Sequence, residues 1–161
     1  MIHEFDASGE AEDHAETPYL VWGGGTFLAP ILTHRYAVIA ARVVLTSLFW
    51  VAGLFGLFNF DAIVQEMIDV GLPMPHLFAV ATILCQLSGS ALIITNFAGL
   101  AWLGAGALAV FTLLTIPFGH AFWQFEGPRR MHEFQIALEH VTVIGGLALA
   151  AILSMKSIDD T

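Results

Sequence analysis

The sequence predicts an all-α integral membrane protein, a four-helix transmembrane bundle with both termini on the same side of the bilayer. Of the 161 residues, 57% are hydrophobic and 12% are charged, whereas a soluble domain carries about 25% charged residues. The mean hydropathy is +0.77. Four apolar runs are also long enough to cross the hydrocarbon core, for which a helix needs about 20 residues.

The few charged residues are unevenly placed along the chain. Of the 14 acidic residues, six precede Pro18. The segment 1–17 has little apolar surface to bury, so we predict an acidic disordered tail there. A net charge of −9 without a basic patch excludes nucleic acid as a partner. Because Cys85 is the single cysteine, the chain can form neither an internal disulfide nor a cysteine-cluster metal site, and we expect no bound metal.

The four apolar runs form the predicted transmembrane domain, residues 36–155. They lack the alternation of a strand and the polar face of a soluble helix. Ahead of them, the segment 18–35 is apolar but short, and three glycines and Pro30 interrupt it. We therefore predict that it lies at the membrane interface. The runs comprise residues 36–58, 76–95, 97–118 and 134–155.

The connections between the runs predict how the helices are arranged. Asn96 alone separates the second run from the third, which predicts a tight hairpin. The connections 59–75 and 119–133 are longer, and the first has the spacing of a short surface helix at 62–70. In a four-span bundle both long connections lie on the side opposite to the termini.

Basic residues set the predicted orientation. Three of them lie near the terminal side and two lie in the loops, so the positive-inside rule favours termini in the cytoplasm by one residue. The residues compared are Arg35, Arg42 and Lys156 on the terminal side, and Arg129 and Arg130 on the loop side.

Two ionisable residues lie inside the fourth run. Glu139 and His140 are five and six residues past its first residue, about 8–9 Å into the bilayer. A carboxyl group in hydrocarbon is costly unless it is neutral, paired or hydrated, and such residues commonly serve function. Neighbouring helical positions point about 100° apart, so this pair cannot serve one partner. By spacing, Glu133 shares a face with His140, and His132 shares a face with Glu139.

Histidines gather on the loop side, where four of the seven are expected: His76, His120, His132 and His140. From these and their neighbours we select five candidate site residues. Each has a structural alternative, since a histidine can cap a helix, a tryptophan can anchor at the interface, and a glutamine can bond across helices. The candidates are His120, Trp123, Glu139, His140 and, in the second run, Gln86.

The chemistry of these residues suits a quinone better than a haem. A quinone needs an apolar slot with a hydrogen-bond donor and a proton carrier near each carbonyl, and a histidine titrates near neutral pH. A bis-histidine haem needs two neutral imidazoles at matching depth. His120 and His140 differ by about 9 Å on a straight-helix count, so a haem would require a kink at Pro117. We find no self-sufficient catalytic motif in the sequence.

Five features recur in order along the chain: Arg42, the run 52–54 leading to Asn59 and Phe60, the turn 71–75, the stretch 120–123 and the glycines of 145–147. On these features the chain resembles the DoxX family of small four-helix bacterial membrane proteins over about residues 35–155. The family implies a link to membrane redox systems, since one branch resembles subunits of thiosulfate:quinone oxidoreductase. The resemblance therefore implies a subunit of a bacterial inner-membrane redox system linked to the quinone pool.

This chain departs from the family at three polar positions. Relatives often have a lysine where this chain has Phe55 and Gly56, a glutamate at the position of Gln86, and an asparagine at the position of His140. If these positions carry proton chemistry in the family, this chain lacks two of them and gains an imidazole.

A second hypothesis comes from another functional class. The chain would then be a non-catalytic structural or assembly subunit, fastened to other membrane protein subunits. With so little mass outside the membrane, a soluble electron donor would need a partner chain with its own cofactor. A small transporter is less well supported, because the sequence has no inverted repeat and no broken helix beyond Pro117.

Overall fold

The computed structural model describes residues 25–159, and side chains for residues 28–155. The predicted tail at 1–17 and the first part of the predicted interfacial segment lie outside the described residues. The described part contains helices and no strand. Its α-helices are α1 Gly25–Leu32, α2 Arg35–Leu45, α3 Ser47–Phe58, α4 Phe60–Asp69, α5 Pro75–Thr95, α6 Ala101–Gly119 and α7 Gly127–Asp159, with 3-10 turns at Phe97–Gly99 and Phe122–Gln124.

Helices α5, α6 and α7 are each long and apolar enough to cross a membrane. Helices α2 and α3 make a fourth span when the bent pair is counted as one. The predicted all-α membrane bundle is confirmed. With four spans, the start of α2 and the end of α7 lie at one end of the bundle, and α4 and the α6–α7 connection lie at the other, which we call the loop side.

The first predicted run is divided by a bend of 59° between α2 and α3. Thr46 at the bend is fully buried, and its hydroxyl donates to the Arg42 carbonyl at 2.7 Å. The Trp50 indole N–H donates to the Val43 carbonyl at 3.2 Å. Side chains that bond to helical carbonyls in this way bend helices, and they keep the backbone satisfied at the break.

Two further helix boundaries differ from the predicted runs. Helix α6 begins at Ala101 rather than at 97, because Asn96 and Ala98 adopt left-handed backbone conformations that close a turn. The Asn96 side chain then accepts a hydrogen bond from the Ala101 N–H at 3.2 Å. Helix α7 begins at Gly127 rather than at 134, since a helix can continue into water beyond its apolar part. The predicted surface helix at 62–70 corresponds to α4.

Close contact between α5 and α6 holds the centre of the bundle. A Cβ atom on Gly104 would lie 2.6 Å from the Gly89 carbonyl oxygen, so the two backbones touch as small residues allow in membranes. Beside this contact lies a core of Phe49, Ile93, Ala105, Leu108 and Leu147, which joins α3, α5, α6 and α7.

Candidate functional site

The candidate site lies on the loop side, where α6 ends against the first turns of α7. His120 is the residue that follows α6. Its Nδ1 atom is 2.9 Å from Glu133 Oε2, and the two side chains are 26% and 14% exposed. The other carboxylate oxygen of Glu133 is 3.9 Å from Nε of Arg129, one helical turn earlier on α7. Glu133 is therefore held between an imidazole and a guanidinium.

His140 completes the site from two turns further along α7. Its Nδ1 atom is 2.8 Å from the Ile136 carbonyl oxygen. Its ring packs edge-on against the ring of His120, with centroids 4.9 Å apart and planes at 61°. We call these three residues, His120, Glu133 and His140, the histidine–glutamate cluster.

The rings of His120 and His140 touch although a straight-helix count separated the two residues by about 9 Å in depth. Helical side chains lean towards the amino end of their helix. His140 lies within α7, so its side chain leans back towards the loop side. His120 follows the last residue of α6 and has a non-helical backbone (φ −128°, ψ 43°), so a straight-helix count does not give its position.

The hydrogen bonds select a tautomer for each ring. The Ile136 carbonyl can only accept, so Nδ1 of His140 carries the proton, and the Glu133 carboxylate likewise assigns a proton to Nδ1 of His120. In the neutral state each ring then presents an unprotonated Nε2. Among the described residues, the hydrogen bonds of both rings are made by Nδ1 and none by Nε2. The cluster can therefore accept protons or hydroxyl hydrogen bonds.

Aromatic side chains are close to the cluster residues in sequence, since Phe122 is two residues after His120 and Phe134 follows Glu133. Phe122 packs edge-on against Trp123 at 5.1 Å and against Phe134 at 5.2 Å between ring centroids. A cleft of about 260 Å³ runs along this group and is lined by Phe122, Gly127, Arg130, Met131 and Phe134. Trp123 is 52% exposed. It packs against Phe122, but it does not line the cleft itself.

The structure does not bring every predicted site residue together. His120 and His140 are in contact, whereas Glu139 is exposed, about 100° around α7 from His140. Gln86 lies on the side of α5 that faces α3, since a Cβ on Gly53 would be 3.4 Å from Gln86 Cβ. Glu133 was not among the five candidates, although its seven-residue spacing to His140 had already placed the two on one face.

The contact between the imidazoles does not fit a bis-histidine haem. Axial ligands stand on opposite sides of the macrocycle, and two rings in edge-to-face contact leave no gap for a porphyrin. Among residues 28–155, no three histidine, cysteine or carboxylate side chains are arranged to hold a metal ion. The three cluster residues do not line the neighbouring cleft of about 260 Å³.

Comparison with known proteins identifies the family. The DoxX family model matches residues 37–121, more than half of the chain. This protein belongs to the DoxX family. It is 28% identical over 119 residues to the inner membrane protein YphA of Escherichia coli strain K12, an alignment that covers 71% of this chain and 81% of that relative. No solved structure matches the chain.

The family match divides the cluster. It includes His120 and ends at residue 121, before α7 supplies Glu133 and His140. The site of this DoxX protein is therefore completed by a helix that lies outside the matched segment.

Proposed function

We propose that this DoxX membrane protein is a subunit of a redox system linked to the quinone pool, and that the histidine–glutamate cluster takes protons from a bound quinol. The observation that carries the proposal is the contact of two imidazoles at the edge of the membrane, one of them hydrogen-bonded to a carboxylate. The His120 side chain is 26% exposed, which leaves a surface that the ring of the quinol can contact.

The tautomers define what each residue does. A quinol hydroxyl donates a hydrogen bond to an unprotonated Nε2, and its proton passes to the imidazole as the quinol is oxidised. Glu133 faces the opposite nitrogen of His120, so its negative charge offsets the positive charge of the protonated ring. These side chains carry protons and not electrons. The two electrons must pass to a redox cofactor held by a partner subunit.

The functional test compares two histidines of α7. His140→Leu removes a proton acceptor of the cluster, whereas His132→Leu makes the same change at an exposed position. In native membranes we expect quinol-linked turnover to fall about 100-fold in His140→Leu, a typical loss for a removed general base, and to stay within about twofold in His132→Leu. Quinone extracted with the purified complex should fall in parallel. Unchanged turnover and quinone content in His140→Leu would refute the proposal.

A structural or assembly role is the second candidate, and Glu139 favours it. In the most apolar window of α7, 11% is buried, against 28% in α5 and in α6. An exposed carboxyl group within a span is costly in lipid, and a partner helix could supply its missing hydrogen bond. Glu139→Leu should then release a copurifying chain while quinone content is retained. Retention of all copurifying chains would remove this support for the structural role.

The orientation is also a proposal. We place both termini in the cytoplasm, on the one-residue excess of basic residues on that side. Reporter fusions at Thr161 and in the connection before Gly127 should report the cytoplasm and the opposite side, respectively. The reverse result would invert the orientation and leave the fold unchanged.

A further inference from the structure

A second cleft lies at the opposite end of the bundle from the histidine–glutamate cluster. It has a volume of about 550 Å³ and lies between α2 and the carboxyl end of α5. Two arginines of α2 line it, and the remaining wall is mainly apolar. The lining residues are Arg35, Val38, Ile39, Arg42, Ile94 and Thr95. We call it the arginine cleft.

The bend at Thr46 explains why this cleft stays open. Helix α2 contains no buried residue, whereas α3 buries Phe49, Gly53 and Gly56. The chain therefore packs tightly after the bend and loosely before it. Arg35 and Arg42 are seven residues apart, so they leave the same side of α2 two turns from each other.

The two guanidinium groups lack an acidic partner among the described side chains. Among the described side chains, the ion pairs are those of Glu133, which lies at the other end of the bundle. Arg35 donates a hydrogen bond from Nη2 to the Tyr36 hydroxyl at 3.3 Å, and its guanidinium lies 4.8 Å from the centre of the Tyr36 ring. Arg42 is half-buried. Two positive charges thus face one apolar cleft.

Helix dipoles do not decide the charge of the cleft. The amino end of α2 contributes a partial positive charge, and the carboxyl end of α5 contributes a partial negative charge of about equal size. Because the two helix dipoles offset each other, the full charges of Arg35 and Arg42 make the cleft positive. The Thr95 hydroxyl is already engaged, since it donates to the Ala91 carbonyl at 2.7 Å, so the arginines must supply the binding energy for an anion.

We propose that the arginine cleft binds an anionic phospholipid, with the phosphate between Arg35 and Arg42 and an acyl chain along Val38, Ile39 and Ile94. A guanidinium presents paired donors that match phosphate oxygens. Arg42 lies about 10 Å deeper than Arg35 along the helix, and its long side chain can extend outward to the headgroup level. The apolar wall then faces the hydrocarbon part of the same lipid. This site is independent of the quinol site.

The test measures lipid retained by the full-length protein in detergent micelles. Phosphatidylglycerol and phosphatidylcholine are offered in equal amounts, and the bound lipid is counted by native mass spectrometry. We expect wild type to retain phosphatidylglycerol preferentially, and Arg42→Gln and Arg35→Gln each to weaken retention about tenfold, as loss of a charged hydrogen bond predicts. Arg130→Gln, the same charge change on the loop side, should stay within twofold. Arg35 is exposed, so its variant tests the site even if Arg42→Gln fails to fold.

Three results would overturn the proposal. Equal losses in all three variants would indicate attraction by net charge alone. Displacement of phosphatidylglycerol by millimolar inorganic phosphate would indicate a site for free phosphate. The third result uses a full-length variant in which the acidic residues before Pro18 are changed to amides. If this variant retains phosphatidylglycerol and wild type does not, the chain's own carboxylates occupy the two arginines. The residues changed would be Glu4, Asp6, Glu10, Glu12, Asp13 and Glu16.

Discussion

Helix α7 carries the same two residue types on two faces, and the two faces have different surroundings. On the inner face, Glu133 and His140 contact His120 at the end of α6. On the outer face, His132 and Glu139 are exposed and make no hydrogen bond with any described residue. Each pair is a histidine and a glutamate seven residues apart. The two pairs are offset by one residue, which corresponds to a rotation of about 100° around the helix.

The comparison shows that composition and depth do not define a site in this helix. Both pairs have the same net charge and nearly the same position along α7. What distinguishes the inner pair is a third residue, His120, which a different helix brings within 2.9 Å of Glu133. The inner pair is therefore joined to a second helix, whereas the outer pair is exposed.

The largest expected difference between the faces is in turnover. Glu133→Gln keeps the shape of the side chain and removes the charge beside His120, so quinol-linked turnover in native membranes should fall about 100-fold. Glu139→Gln makes the same change on the outer face and should leave turnover within about twofold. Comparable losses in the two variants would erase the functional distinction between the faces.

Stability should separate the faces next. Leu147 is fully buried against Phe49 and Leu108, whereas Leu149 is 57% exposed. Leu147→Ala leaves a cavity and should cost about 2 kcal/mol, the low end of the range for buried leucines because lipid replaces water in the transfer term. Leu149→Ala should cost less than about 0.5 kcal/mol. Reversible unfolding in micelles measures both, and a larger loss for Leu149→Ala would mean that α7 is rotated from the position described.

The smallest expected difference concerns the aromatic wall. Phe134 stacks edge-on against Phe122, and an aromatic pair of this kind contributes about 1 kcal/mol. Phe134→Ala should therefore lower the free energy of unfolding by about that amount, whereas Leu138→Ala, at a half-exposed outer position, should change it by less than about 0.5 kcal/mol. If Phe134→Ala is neutral, the wall does not hold the α6–α7 connection in place.

Hydropathy and spacing were enough to predict the membrane fold, the surface helix α4 and the pairing of Glu133 with His140 on one face. They could not show which face of α7 turns inward, because the helix is apolar on nearly all sides within the membrane. Nor could they place His120, whose contact with Glu133 depends on where α6 ends and on the non-helical backbone of His120. Sequence spacing describes one helix at a time, and the cluster requires two.

The bend at Thr46 and the start of α6 escaped prediction for related reasons. A threonine in an apolar run is common, and only the bond from its hydroxyl to the Arg42 carbonyl marks this one as a break. Ala98 adopts a left-handed conformation, which an alanine in a sequence does not predict. Local propensity carries little information where tertiary contacts set the backbone.

Photolabelling with an azido-quinone in native membranes tests the central claim most directly. If the histidine–glutamate cluster binds the ring, mass spectrometry should find the label on peptides that contain His120 or residues 133–140, and excess unlabelled quinone should suppress it. His140→Leu should lose most of the label, and His132→Leu should keep it. Label that lies on other parts of the chain, or that is equally strong in both variants, would contradict a quinol site at this cluster.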